Sequence, residues 1–123
     1  MIFATFEQMP IMNFECDVKK KALVVTSLVE KLDTHSAPDL KSIFTFEHKK
    51  GHNHMVLDLS KTKFCDSSGL SAILVANRLC KDTNGTFYLA GVQPVVLKMI
   101  EIAQLDRVFK IFQTVEEALN SFE

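Results

Sequence analysis

Met55-Val56-Leu57-Asp58-Leu59, followed shortly by Phe64-Cys65-Asp66-Ser67-Ser68-Gly69-Leu70, decides how this chain folds. The first segment is short, apolar and rich in strand formers. The second opens a run from Leu70 to Cys80 with helical spacing. Leu70, Ile73, Leu74, Ala76 and Leu79 make a broad apolar face there, with Asn77, Arg78 and Lys81 toward water. A strand that passes directly into a helix puts an acid, two hydroxyls and a glycine on the turn between them. Backbone N–H groups are expected to be unpaired at such a helix start, which favours holding or acquiring a phosphate.

The same alternation continues in both directions. Asn13 to Val18 has period two, with Phe14, Cys16 and Val18 on one face and Asn13, Glu15 and Asp17 on the other. After Lys19-Lys20-Lys21, read as a solvated hairpin turn, Ala22 to Val29 is a continuous β-rich run, expected to be covered on both faces. The two segments predict an antiparallel hairpin. Ser36, Ala37, Pro38 and Asp39 have the order of a serine N-cap, an early proline and a first-turn acid, with Leu40, Ile43, Phe44 and Glu47 following at helical spacing and Gly51 as the stop. Asn84-Gly85 ends the next helix through residues that tolerate positive φ, and Thr86 to Ala90 is a strand. A helix from Gln93-Pro94 places Val95, Val96, Met99, Ile100 and Ala103 on its apolar side. Val108 to Phe112 is a last short strand, and Thr114 caps a final helix. The order is β-β-α-β-α-β-α-β-α. It predicts an α/β domain with a mixed, mostly parallel sheet, flanking helices and an antiparallel strand at one edge. Val24, Leu57, Leu74, Leu89 and Ile100 are expected in its core.

Bulk properties narrow the function. At 123 residues the chain suits one domain, read as residues 12–123 behind a lead-in at 1–11 that ends near Pro10. A net charge of −1 gives no electrostatic case for direct nucleic-acid binding or for an anionic membrane. No apolar run approaches the ~20 residues of a membrane span, and the first residues lack the pattern of a signal peptide. Cys16, Cys65 and Cys80 are odd in number and without CxxC spacing, which fits a reducing compartment and predicts a cytoplasmic protein.

Few side chains suggest chemistry. Ser68 reads either as a plain N-cap, stabilising by ~1 kcal/mol, or as a phosphoacceptor, and Ser67 can equally be the cap. Asp58 is expected to accept backbone hydrogen bonds in the loop after its strand. His48, His52 and His54 lack the cysteine or carboxylate partners of a tetrahedral metal site, although His52 and His54 would share a strand face. Cys65 has no histidine placed to activate it and reads as a small buried hydrophobe. Without a phosphate loop or a metal-holding acid set, the chain is expected to need no cofactor or metal, to catalyse nothing, and to be a kinase substrate rather than a kinase.

At Asp66-Ser67-Ser68-Gly69-Leu70 the sequence resembles the STAS domain, a family shared by sulfate transporters and bacterial anti-sigma factor antagonists. Val56 to Ser60, Leu32-Asp33 with Ser36-Ala37 and Leu40, Leu89 to Val92, Pro94 to Val96, and Leu105-Asp106 with Phe109 extend the resemblance over about residues 12–122. It departs at Glu30, where the family usually carries glycine. In the antagonist branch the resemblance implies that Ser68 is phosphorylated by an anti-sigma factor that is itself a serine kinase. A PP2C-type phosphatase reverses the modification, and the unphosphorylated form binds the anti-sigma factor. Asp33, Asp66, Ser67 and Gly69 are then expected at the partner surface. The other branch would make the chain a subunit of a membrane transport or signalling complex that has no phospho-switch.

Overall fold

Strand β1 (Phe14–Lys19) turns back on β2 (Ala22–Ser27) as an antiparallel hairpin, with Phe14 opposite Ser27 and Lys19 opposite Ala22. The computed structural model describes residues 13–122, so the lead-in expected at 1–11 lies outside the described residues. Two residues, Lys20 and Lys21, make the turn, and Lys20 takes a positive φ of 57°. The turn is not merely solvated: Lys20 Nζ donates to Asn120 Oδ1 at 2.8 Å and lies 3.7 Å from the Glu116 carboxylate.

The chain continues through β3 (Lys31–Leu32), α1 (Ala37–Lys49), β4 (His54–Asp58), β5 (Phe64–Cys65), α2 (Ser67–Asp82), β6 (Thr86–Ala90), α3 (Pro94–Ile102), β7 (Lys110–Phe112) and α4 (Val115–Asn120). The main sheet has the order β1-β2-β4-β6-β7, with β2, β4, β6 and β7 parallel. Each new parallel strand joins on the same side of the last. Right-handed crossovers that always advance in one direction leave their helices on one face. The larger core therefore lies on the face where Leu23, Val25, Leu57 and Leu89 meet Leu40 and Phe44 of α1, Ile73 and Ala76 of α2, and Val96 and Ile100 of α3. Ala22, Val24, Val56 and Ala90 point the other way and meet Ala118 and Leu119 of α4. Both faces of β2 and β4 are thus covered, which is why these strands read as unbroken apolar runs. The expected mixed, mostly parallel α/β architecture is the one observed.

Local departures have local causes. Only Phe14 of the predicted β1 face is buried, while Cys16 is exposed and Val18 is 58% exposed. As the edge strand, β1 pairs only with β2, and no helix packs closely on it among the described residues. Leu74 is only half-buried, packed against the core, and Asn77, expected in water, is buried. On α3, Val96 and Ile100 are buried but Val95 is 54% exposed and Ala103 lies outside, because a nine-residue helix on the sheet margin buries one narrow stripe. Asn84 takes the expected positive φ, at 61°, whereas Gly85 does not. Glycine is required at 85 for space, since a Cβ there would lie 1.7 Å from the Asn53 carbonyl oxygen.

A second, two-stranded parallel sheet was not legible in the sequence. It pairs Lys31 with Phe64 and Leu32 with Cys65. These residues extend the chain beyond the C-terminal ends of β2 and β4. The Glu30 carbonyl accepts from the N–H groups of Lys63 and Phe64 at 2.8 and 3.0 Å. Buried Thr62 donates to the Val29 carbonyl at 2.7 Å, which leaves Ser27 as the donor in the 2.7 Å Ser27–Thr62 hydroxyl pair. Glu30 itself is not among the residues with positive φ, so a side chain is accommodated where the resemblance led to an expectation of glycine.

Candidate functional site

The small sheet fixes the site. Because Leu32 and Cys65 are parallel partners, the residues that follow them, Asp33 and Asp66, emerge side by side. Adjacent strands lie ~4.8 Å apart, so two acids from distant parts of the chain become neighbours. Asp66 N–H donates to the Leu32 carbonyl at 3.2 Å and locks that register.

Asp66 is the N-cap of α2. Its Oδ1 accepts from the N–H groups of Ser68 at 2.9 Å and Gly69 at 3.1 Å. This corrects two expectations. Neither serine is the cap, and those two amides are not unpaired donors awaiting an anion. The carboxylate already satisfies them and leaves both serine hydroxyls uncommitted: neither makes a hydrogen bond among the described residues. Ser67 is exposed and Ser68 half-buried.

Asp33 performs a comparable local task before α1. Its Oδ1 accepts from His35 N–H at 3.0 Å, and its carbonyl accepts from the N–H groups of Ser36 and Ala37. Ser36 occupies the N-cap position of α1 but its hydroxyl does not cap the helix. It donates to the Lys31 carbonyl at 3.0 Å and accepts from Asp33 N–H at 3.2 Å, tying the loop to β3 instead. Pro38 lies in the first turn of α1 as expected, and Gly51 follows the helix with φ of 106°.

Between the starts of α1 and α2 runs an open groove of about 420 Å³, lined by Thr34, Ala37, Pro38, Lys41, Ser67, Ser68 and Ser71. Of the five residues singled out in the sequence, Ser67 and Ser68 line this groove, and Asp66 sits behind them as the cap. Asp33 lies on the loop just before α1. Gly69 is buried beneath, where a Cβ would meet the Leu32 carbonyl oxygen at 2.4 Å and Cys65 Sγ at 2.6 Å. The groove also contains Lys41, Thr34 and Ser71, which sequence reasoning missed. The available signal was helical spacing: Lys41 follows Ala37 by one turn on α1, and Ser71 follows Ser67 by one turn on α2.

The remaining candidates are accounted for elsewhere. Asp58 Oδ1 accepts from Ser60 N–H at 2.9 Å, as expected of a strand-end acid. His48 hydrogen-bonds Thr83 at 3.1 Å, His52 lies 3.6 Å from Glu47, and the His54 ring packs edge-on against Phe122. His52 precedes β4 and so does not share a strand face with His54. Among the described residues no group of three or more histidines, cysteines or acids is placed to hold a metal. Cys65 is fully buried, and burial, then the neighbouring Asp66 carboxylate, push its thiol up to about 12. It is a packing residue and not a nucleophile at neutral pH. No helix among the described residues is long and apolar enough to cross a membrane.

A progressive parallel sheet with three helices on one face, one on the other and a serine pair at the second helix start defines an α/β domain of one recurring type. Residues 13–118 match the STAS domain, and the chain belongs to that family. Among curated proteins it is similar to the anti-sigma F factor antagonist of Paenibacillus polymyxa, at 26% identity, covering 91% of this chain and 97% of that one. A candidate anti-sigma factor antagonist from Thermotoga maritima is 28% identical in sequence, with a TM-score of 0.78 over 87% of this chain and 92% of the other. The anti-sigma factor antagonist SpoIIAA shares the fold in an unphosphorylated and in a phosphorylated form. The unphosphorylated form gives a TM-score of 0.75 at 22% identity, covering 87% of this chain and 93% of that one. The phosphorylated form, from Bacillus, gives 0.69 at 21% identity, covering 87% and 96%.

Proposed function

We propose that this chain is an anti-sigma factor antagonist that works by partner switching, with Ser68 as the switch. Its unphosphorylated form binds an anti-sigma factor that is also a serine kinase. The kinase transfers the terminal phosphoryl group of a nucleoside triphosphate to Ser68 Oγ, the hydroxyl proton leaves, and the diphosphate is released. The modified chain dissociates, and a PP2C-type phosphatase restores the hydroxyl by hydrolysis. The chain itself acts as a binding module in the cytoplasm and supplies no catalytic group.

The observation that carries this reading is the cap made by Asp66. With the helix start satisfied by a carboxylate, Ser68 is not needed to stabilise α2, and its hydroxyl borders an open groove. Modification therefore leaves the fold in place. The charge arithmetic points to a change in binding. A phosphate charge about 6 Å from Asp66 or Asp33 meets a repulsion of roughly 3 kcal/mol per charge pair at an effective dielectric of 20, before salt screening. Both acids are tied into local hydrogen bonds, and solvent at the open groove screens the repulsion. A partner surface fitted to a neutral serine must instead desolvate a dianion, and even ~3 kcal/mol lost there lowers affinity about a hundredfold. Ser67 and Asp33 flank the hydroxyl as partner contacts in this reading, while Gly69 serves from below by letting α2 sit close enough to present both serines.

Mass-spectrometric mapping of the chain recovered from its native host tests the assignment. Phosphate is expected on Ser68 in the wild type and in Ser67→Ala, and is expected to be absent from Ser68→Ala, with all three chains giving the same circular dichroism spectrum. Phosphate found on Ser67 instead would refute Ser68 as the acceptor.

A further inference from the structure

We propose that Lys41 is the counter-ion of a phosphate carried on Ser68, drawing it across the groove toward α1. The inference rests on reading Ser68 as the phosphoacceptor, and adds a residue that holds the modified state. A dianion at the start of α2 would ordinarily be met by the helix amides. Here the amides of Ser68 and Gly69 already donate to Asp66 Oδ1, so a phosphate two residues on gains little from them and adds to the negative charge of Asp66. Beyond what solvent screens, the protein's own compensating charge comes from a side chain. Among the residues lining the groove, Lys41 alone is charged. It is exposed and makes no ion pair among the described residues. Its flexible four-carbon stem and three rotatable donors suit an approach from α1 to a group projecting from α2.

The arrangement gives the phosphate a place as well as a charge partner. Held by Lys41, it fills the groove between the two helix starts that an incoming partner would otherwise enter. The modification then acts by occupying a site in addition to adding charge. In the unmodified chain the same lysine lines the groove together with a neutral hydroxyl.

The test installs phosphoserine at position 68 during synthesis, so that its result does not depend on whether any kinase acts there. Titration by ³¹P NMR reads the second ionisation of the phosphate, which lies near 6 for phosphoserine. A nearby cation favours the dianion and lowers that value, so Lys41→Met is expected to raise it by about 0.5. Lys41→Arg is expected to stay near the wild type. Lys49→Met is the control: it removes the same charge from the same helix, but Lys49 does not line the serine groove and borders only the adjoining one, which it shares with Lys41, Ser42, Thr45 and Phe46. It is expected to move the titration far less. No change in Lys41→Met, or an equal change in Lys49→Met, would overturn the proposal. That failure would leave the acceptor role of Ser68, decided by phosphosite mapping, untouched.

Discussion

Cys65 and Gly69 meet directly beneath the two serines. The thiol of Cys65 donates to the Asp66 carbonyl at 3.4 Å, and the missing side chain of Gly69 is what lets Cys65 Sγ lie there. Beside Asp66, this cysteine is easily mistaken for a nucleophile. Its environment makes the opposite assignment, since burial and a neighbouring carboxylate both disfavour the thiolate. Cys80, also fully buried, is held up to about 12 by burial alone. Both thiols have folded values above the ordinary 9.0. Their contribution to stability is therefore complete below about pH 9 and is lost as the pH rises toward 12. At pH 8 the folded chain should accept an alkylating reagent at exposed Cys16, while Cys65 and Cys80 react only on unfolding. Rapid modification of Cys65 in the native chain, read by peptide mapping, would show that its surroundings are wrong. The inertness of Cys65 was legible from the absence of an activating histidine. The cap was not legible, because Asp66, Ser67 and Ser68 are all good N-cap residues and sequence alone does not rank three in a row.

At the scale of elements, α2 is seated on the small β3–β5 sheet. A Cβ at Gly69 would lie 2.4 Å from a backbone oxygen of Leu32, which cannot swing aside as a flexible side chain can. Replacing glycine by alanine inside a helix gains about 1 kcal/mol of propensity. Overpacking against fixed neighbours costs roughly 1–3 kcal/mol. Because the clash is with backbone, the cost falls at the upper end of that range, so Gly69→Ala is expected to lose about 2 kcal/mol net in a urea titration, and a variant as stable as the wild type would mean that α2 is not held there. The main strands and helices were readable because each carries one clear period and a stop signal, as in the Ala22–Ser27 run or the Thr114 cap, whose hydroxyl accepts from Glu117 N–H at 3.1 Å. The small sheet was not readable, because its strands are two residues each and too short for any period. Its existence depends on long-range bonds such as Thr62 to Val29. Ser36 misled for a related reason: local sequence marks a capping position, but its hydroxyl found partners on the preceding strand.

For the molecule as a whole, the progressive strand order gathers the first turns of α1 and α2 above one edge of the β3–β5 pairing. Two serines and a lysine from separate segments thereby line a single groove, with Asp66 behind it as the cap and Asp33 on the loop before α1. The central strands beneath are covered on both faces, with Leu57 and Val56 fully buried on opposite sides of β4. Such a base has no evident second arrangement, so a phosphate on the groove should be read by a partner and not by the fold. That is the central claim, and the affinity of the partner captured by the unmodified chain tests it most directly. The measurement compares chains carrying a hydroxyl and a phosphate at position 68, with folding of each verified by circular dichroism. Affinity at least about tenfold weaker for the phosphorylated chain, a loss of ~1.4 kcal/mol or more, is the predicted result. Equal affinity of the two folded chains for every partner recovered would contradict it.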